Sequence, residues 1–107
     1  MKSKRKTVVY IAGPITGVEN YRKAFDQAQE LLEVGGNIVL NPATLPEGMT
    51  PAQYMRICLA MVDDADMVFL LPEWENSKGA KLEKAYAEYI GKGVTIVKKG
   101  SLEADND

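Results

Sequence analysis

Two short segments of this chain combine residue types that can act on a sugar or a nucleotide. The first is the glycine-containing stretch 10–17 (YIAGPITG), and the second is the stretch 77–83 (SKGAKLE), which ends in the carboxylate of Glu83. Each is typical of a chain that leaves a strand through a loop and enters a helix. Loops that follow parallel strands converge on one edge of a sheet, so both segments are predicted to line one pocket.

Glu83 is the candidate catalytic residue. Gly79 and Glu83 are four residues apart and share one face of the predicted helix, so the absent side chain of Gly79 leaves space for a ligand above the carboxylate. Ser77 lies at or near the N-cap, where its hydroxyl can bind a helix amide or a ligand. The alternative is that Glu83 is a solvated helix residue that pairs with a nearby lysine: Lys78, Lys81 or Lys84.

The loop Gly13-Pro14-Ile15-Thr16-Gly17 is the candidate binding loop. Glycines let the backbone turn tightly and approach a ligand, and free amides there can meet a phosphate or sugar oxygen. The spacing matches neither the G-x-G-x-x-G fingerprint nor the P-loop, so dinucleotide or nucleoside-triphosphate binding has no direct support. The alternative is an ordinary strand-to-helix turn.

The composition limits the available chemistry. The 107 residues include no histidine and one cysteine, Cys58. An intramolecular disulfide is therefore impossible, and we expect neither a metal site nor a cofactor. Because the commonest general base is missing, the chemistry falls to carboxylates, hydroxyls, amides, lysines and the lone thiol.

The length of 107 residues and the ordinary apolar content favour one small domain over residues 1–107, with flexible tails at 1–6 and 100–107. The first tail carries a basic run, but the net charge of −2 gives no general attraction to nucleic acid. No segment approaches the roughly 20 apolar residues that span a bilayer. We therefore expect a cytoplasmic protein without nucleic-acid or membrane partners.

Strand and helix patterns alternate along the chain. Strands are predicted at 7–12, 38–40, 66–71 and 94–97, and helices at about 20–34, from Pro51 onwards after the N-cap Thr50, and at 77–91. This order predicts an α/β fold, a flavodoxin-like or Rossmann-like parallel sheet of about four strands with helices on both faces. The periodicity predicts the inward side chains Tyr54, Ile57, Cys58, Met61 and Val62 in the second helix, and Leu82, Ala85, Tyr86, Tyr89 and Ile90 in the third.

With Ala65-Asp66 before the third strand, the two segments resemble the nucleoside 2-deoxyribosyltransferase superfamily, which includes deoxynucleoside 5′-monophosphate N-hydrolases. The resemblance covers roughly residues 7–98. It is strongest to a small phage and bacterial branch that carries Leu-Leu-Pro-x-Trp-x-x-Ser-x-Gly-Ala, here at 70–80. The Ser-x-Gly-x-x-x-Glu order at 77–83 is its most specific part.

The resemblance implies that Glu83 is a nucleophile. Its carboxylate would attack C1′ of a deoxyribosyl group as the base departs, and the glycosyl-enzyme would pass to a second base or to water. The logic is that of retaining glycosidases, in which a carboxylate stabilises an oxocarbenium-like transition state. This mechanism needs neither histidine nor metal.

Two positions depart from the family pattern. Many members carry an aspartate eight residues before the Ala-Asp aspartate, and that spacing here falls on Cys58, a weaker acid and hydrogen-bond partner. Asp63 and Asp64 would replace it only if they turned inward, and we expect them to cap the end of the helix or to face solvent. The nucleotide hydrolases carry a phosphate-binding arginine in the first loop, where this chain has Thr16, so a nucleoside is as plausible as a monophosphate.

The remaining candidates surround these groups. Trp74 is expected to stack on a base or, alternatively, to cover the core. Asn41, after the second strand, is a candidate for binding a base or ribose. Asp66 is expected to organise backbone amides or the loop around Gly13, and Tyr10 to lie in the core with its hydroxyl toward the pocket. Cys58 is predicted to be a buried thiol.

Three functions remain open from the sequence. The first is an enzyme that cleaves or transfers the N-glycosidic bond of a 2′-deoxynucleoside or its 5′-monophosphate. The second is a non-catalytic module that binds a nucleotide or an ADP-ribose-like metabolite, and the third is an interaction protein. The resemblance also implies a homo-oligomer, a dimer or larger, with Met55, Met61 or Tyr89 in its interface.

Overall fold

Four parallel strands form the centre of the molecule. In the computed structural model, which describes residues 5–100, they are β1 (Val8–Ala12), β2 (Ile38–Leu40), β3 (Met67–Leu70) and β4 (Gly93–Ile96). Their order is β2-β1-β3-β4, and all neighbours are parallel. The direction of winding reverses between β1 and β3. In open α/β sheets, ligands bind at such a switch point, beyond the carboxyl ends of the strands.

Three helices cover both faces of the sheet: α1 (Tyr21–Val34), α2 (Pro51–Asp64) and α3 (Lys78–Tyr89). Successive strand residues alternate between the faces. The side chains of Val9 and Ile11 pack with α1, whereas those of Tyr10 and Ala12 pack with α2 and α3. The predicted α/β fold, with a four-stranded parallel sheet between two helical layers, is confirmed.

A local signal fixes the start of α2. The Thr50 hydroxyl accepts a hydrogen bond from the backbone N–H of Gln53, and the Gln53 side chain accepts one from the N–H of Thr50, at 3.1 and 2.9 Å. This reciprocal capping box satisfies two amides that a helix end leaves without partners. Pro51 occupies the first turn, as the sequence predicts.

The inward face of α3 differs from the predicted one. Its buried residues are Ala80, Glu83 and Ala87, with Tyr86 partly buried beside them. Four residues predicted to face inward are exposed instead: Leu82, Ala85, Tyr89 and Ile90. The sequence prediction placed the large apolar side chains of α3 on its inward face. The sheet below α3 is already filled by large side chains such as Tyr10 and Leu70, so the helix presents small residues and one carboxyl group to it.

The inward face of α2 follows the prediction more closely. Cys58 and Val62 are buried, and Tyr54 and Met61 are partly buried. Ile57 is 37% exposed, which contradicts its predicted inward position. Asp63 and Asp64 are both exposed, as expected, and Asp63 accepts a hydrogen bond from the Tyr86 hydroxyl at 2.6 Å.

Asp66 lies at the amino edge of the sheet, immediately before β3, and binds a backbone amide as predicted. Its carboxylate accepts hydrogen bonds from the backbone N–H of Val8 at 2.8 Å and from the Arg5 guanidinium at 2.7 Å. These bonds hold the pKa of Asp66 below its usual range. Asp66 therefore organises a backbone amide, but at the start of β1 rather than at the loop around Gly13. The residue is placed there because it precedes β3, and the loop follows β1.

The predicted tails lie mostly outside the described residues, namely at 1–4 and 101–107. Arg5 belongs to the described part, where its ion pair with Asp66 ties the chain to the sheet two residues before the predicted first strand. Within residues 5–100, no helix is long and apolar enough to cross a membrane.

The chain segments that follow β1 and β3 approach each other closely at Gly13, at the carboxyl edge of the sheet. A Cβ atom on Gly13 would lie 3.0 Å from both Cβ and Cδ1 of Leu71, too close for an unstrained contact. We expect Gly13→Ala to lower the free energy of unfolding by about 1–3 kcal/mol, as overpacking usually does. Urea denaturation measures this change.

Gly93→Ala is the matched control. Its added Cβ would meet Met67 Cγ at 3.6 Å, an ordinary contact. The free energy of unfolding should change by less than about 0.5 kcal/mol, or rise slightly because alanine restricts the unfolded chain. Equal destabilisation by both substitutions would contradict the close approach of Gly13 and Leu71.

Candidate functional site

Glu83 lies in the core, at the meeting point of three elements. It is only 6% exposed, and the side chains of Tyr10 from β1 and Cys58 from α2 face its carboxyl group. Those two residues are 1% and 6% exposed. We call Tyr10, Cys58 and Glu83 the Glu83 cluster. The sequence predicted each of the three as a site or supporting residue, and the fold brings them together.

Burial dominates the electrostatics of the cluster. It raises the pKa of Glu83 from 4.5 to about 7, and the polar groups of Tyr10 and Cys58 oppose part of that rise. Burial also raises the pKa of Tyr10 well above 10 and that of the Cys58 thiol above its ordinary value. Near neutral pH the carboxyl group is therefore poised between its neutral and ionised forms, and its two neighbours stay neutral.

The lysine-paired alternative for Glu83 is wrong. Lys84, its neighbour in sequence, instead binds Glu88 at 2.8 Å, and Lys78 and Lys81 are exposed. Among residues 5–100, Glu83 forms no salt bridge. A buried carboxyl group without an ion pair lowers stability, and such groups are typical of functional sites.

The start of α3 combines a cap with a close helix contact. The Ser77 hydroxyl oxygen accepts a hydrogen bond from the backbone N–H of Ala80 at 3.0 Å, so it satisfies the helix amide, and its proton remains free to be donated. A Cβ on Gly79 would lie 3.4 Å from the Met55 methyl carbon. The space predicted beside Gly79 is therefore covered by Met55, a partly buried side chain that sequence reasoning assigned to an oligomer interface.

The glycine loop and the start of α3 meet at the predicted edge. Gly13 contacts Leu71, the residue that follows β3, and the Leu71 N–H donates to the carbonyl of Ala12 at 2.8 Å. Ala12 and Ala80 belong to one buried cluster. Gly13, Pro14 and Ile15 are partly buried, whereas Thr16 and Gly17 are exposed.

Asn41 is held away from the Glu83 cluster. Its side-chain oxygen accepts a hydrogen bond from the backbone N–H of Ala43 at 2.9 Å, and its amide donates to Gln29 of α1 at 2.9 Å. The residue is 6% exposed. It thus caps the short 3-10 helix Pro42–Thr44 on the α1 side of the sheet, and no feature of the sequence could separate this role from ligand binding.

Trp74 forms a partly buried cover over the core. Its ring packs against the buried cluster that includes Tyr10 and Cys58, and the Lys84 ammonium lies 5.4 Å from the ring centroid. The preceding residue, Glu73, has a φ of 72°, a left-handed conformation that is uncommon for residues with a side chain.

A shallow cleft of about 330 Å³ lies beside Trp74, at the carboxyl ends of β3 and β4. Its walls come from residues 72–75 and 96–99, and Glu83 is not among them. Trp74 therefore contributes both to this cleft and to the packing around Tyr10 and Cys58.

A family comparison adds to this geometry. The model of a family described as a domain of unknown function (DUF4406) matches residues 7–96. The chain belongs to this family. The DUF4406 match spans all four strands and includes the Glu83 cluster, the glycine loop and Trp74. A comparison with curated proteins finds no match.

The raised pKa of Glu83 predicts how stability varies with pH. The folded state binds a proton more tightly than the unfolded chain, so the stabilisation is complete below about pH 4.5 and is lost as the pH rises to about 7. Glu83→Gln keeps the shape but removes the charge. We expect this variant to be more stable than the parent by about 3 kcal/mol at pH 8 and to match it at pH 4, because one pKa unit corresponds to 1.36 kcal/mol.

Chemical denaturation at several pH values measures this difference, with Glu88→Gln as the control. Glu88 is an exposed carboxylate on the same helix, so its variant should show no comparable gain at pH 8. A Glu83→Gln variant that is destabilised equally at both pH values would show that Glu83 is ionised and satisfied in the core.

Proposed function

We propose that this DUF4406 domain cleaves or transfers the N-glycosidic bond of a 2′-deoxynucleoside or its 5′-monophosphate through a glutamyl-deoxyribosyl intermediate on Glu83. The observation that carries the proposal is the buried carboxyl group of Glu83, which faces Tyr10 of β1 and Cys58 of α2 and forms no salt bridge within residues 5–100. Such a group costs stability, and a nucleophile that must be shielded from water accounts for that cost. The resemblance to the nucleoside 2-deoxyribosyltransferase superfamily supports the same assignment.

Glu83 acts as the nucleophile in this mechanism. Its ionised oxygen attacks C1′ as the bond to the base breaks, and a second base or water then releases the sugar. The Tyr10 hydroxyl and the Cys58 thiol are positioned to orient the carboxylate and to disperse its charge. The absence of a 2′-hydroxyl makes the oxocarbenium-like transition state easier to reach, so a single carboxylate is enough.

The loops at the same edge bind the substrate in this proposal. The amides of the Gly13–Gly17 loop and the free proton of the Ser77 hydroxyl are available to the sugar or phosphate, and the Trp74 ring is available to the base. Met55 lies over Gly79, one helical turn before Glu83. A methionine side chain is flexible, so its displacement opens a path to the carboxylate.

A non-catalytic binding module is the second candidate. The observation that favours it is the cleft beside Trp74, which does not include Glu83. The departures at Cys58 and Thr16 point the same way, because both replace groups that related enzymes use. In this case a nucleotide or an ADP-ribose-like metabolite would bind without turnover and raise the melting temperature.

We also propose that copies of this chain form a homo-oligomer in the cytoplasm. The side chains of Leu82 and Tyr89 on α3 are 50% and 90% exposed, and burial of this apolar face against another copy would be favourable. The proposed partner in the reaction is a small molecule rather than a nucleic acid or a membrane.

A turnover assay tests the proposed function. Deoxynucleosides and their monophosphates are incubated with the protein, with and without a second free base, and chromatography detects free or exchanged base. We expect Glu83→Gln to reduce turnover at least 10³-fold, because the covalent route depends on this carboxylate, while the protein stays folded. Dependence on the second base distinguishes a transferase from a hydrolase.

Glu88→Gln is again the matched control and should retain full turnover. Turnover that persists in Glu83→Gln would contradict the nucleophile assignment. Ligand-dependent thermal stabilisation without product, across the whole panel, would favour the binding module instead.

A further inference from the structure

The side chains that face the Glu83 carboxylate are weak acids. Tyr10 comes from β1 and Cys58 from α2, and their ordinary pKa values are about 10 and 8.5. Burial makes both weaker still. The nearby aspartates point away from Glu83, since Asp63 accepts a hydrogen bond from the Tyr86 hydroxyl and Asp64 is exposed. In the described part of the chain, the side chains that face Glu83 include no strong acid.

This arrangement matters because an ordinary nucleobase needs a proton when it leaves. As the bond between C1′ and the base nitrogen breaks, its electron pair stays on the base, which departs as an anion unless an acid protonates it. General acid catalysis of such a step typically contributes 10²–10⁴-fold to the rate. A base that already carries a positive charge, such as a pyridinium ring, accepts the electron pair and leaves as a neutral molecule.

We propose that the preferred substrates of the Glu83 cluster are N-glycosides of a cationic base, with a pyridinium deoxyriboside as the simplest case. The proposal rests on the proposed function, because it uses the same nucleophile. One Glu83 oxygen bonds to C1′ while the bond to the ring nitrogen breaks and its electron pair neutralises the ring. Water then attacks C1′, the electron pair of the ester bond returns to the carboxylate, and the proton of the water goes to solvent.

Two further features suit a cationic substrate. The cluster holds a single ionisable carboxylate between two neutral neighbours, so a positive ring would supply the counter-charge that this buried group lacks among the described residues. The face of Trp74 already holds a cation, the Lys84 ammonium at 5.4 Å from the ring centroid. A flat cationic ring that displaced the Lys84 ammonium from this face would gain the same attraction.

A comparison of two substrates with the same sugar tests this inference. Nicotinamide 2′-deoxyriboside carries a cationic base and deoxyadenosine a neutral one, and the uncatalysed rate is subtracted for each. For the parent protein we expect kcat/KM to be at least 10²-fold higher for the pyridinium compound. Glu83→Gln should abolish both activities.

Variants at Cys58 separate the acid requirement from the intrinsic lability of the pyridinium compound. Cys58→Asp adds an acid, which helps only the neutral base, and should reduce the ratio of the two kcat/KM values at least 10-fold. Cys58→Ser adds a hydroxyl without a stronger acid and should leave the ratio unchanged. An unchanged ratio in folded Cys58→Asp would overturn the inference.

The pH profile of the parent protein gives an independent test that needs no folded variant. With the pyridinium compound, kcat/KM should rise through one ionisation and then stay level to pH 9, because no proton donor is needed. A descending limb below pH 9, or faster cleavage of deoxyadenosine, would overturn the inference and leave the proposed function intact. Failure to cleave either compound in a Glu83-dependent way would overturn both.

Discussion

The burial of one carboxyl group against the sheet constrains much of this structure. Glu83 occupies a core position of α3 that an apolar residue would normally fill, and burial raises its pKa to about 7. The residues around Glu83 suit a buried carboxyl group, because Tyr10 and Cys58 are neutral and can hydrogen-bond it without adding a second charge. Its neighbours on the inward face, Ala80 and Ala87, are small, which lets the helix lie close to the sheet.

The rotation of α3 that buries Glu83 also determines the outer surface of the molecule. With the carboxyl group inside, Leu82 and Tyr89 lie outside, although both are apolar. The orientation of α3 therefore leaves Leu82 and Tyr89, whose burial would be favourable, in solvent and buries the carboxyl group of Glu83, which is unfavourable. Local hydrophobicity does not explain this exchange, whereas a function for the carboxyl group inside and a contact surface outside would account for both.

The two edges of the sheet have different roles. At the amino edge, Asp66 binds the start of β1 and the Arg5 side chain, which secures the chain to the sheet. At the carboxyl edge, Gly13 allows the chain after β1 to approach Leu71, and Ala12 at the end of β1 packs in one buried cluster with Ala80 at the start of α3. The bonds of Asp66 thus lie at the edge opposite to the loops for which we propose ligand binding.

The sequence by itself determined the fold class, the four strands, the starts of the helices and the identity of the central carboxylate. These follow from local causes: residue periodicity, the capping residues Thr50 and Ser77, and glycine or proline at chain reversals. Tertiary structure decided which face of α3 is buried, which backbone amide Asp66 binds, and that Asn41 is held by Gln29 while Met55 covers Gly79. These features depend on two things: which surfaces of the sheet are already filled, and which segments the topology brings together. The spacing of residues along a single helix or strand reveals neither of these two causes.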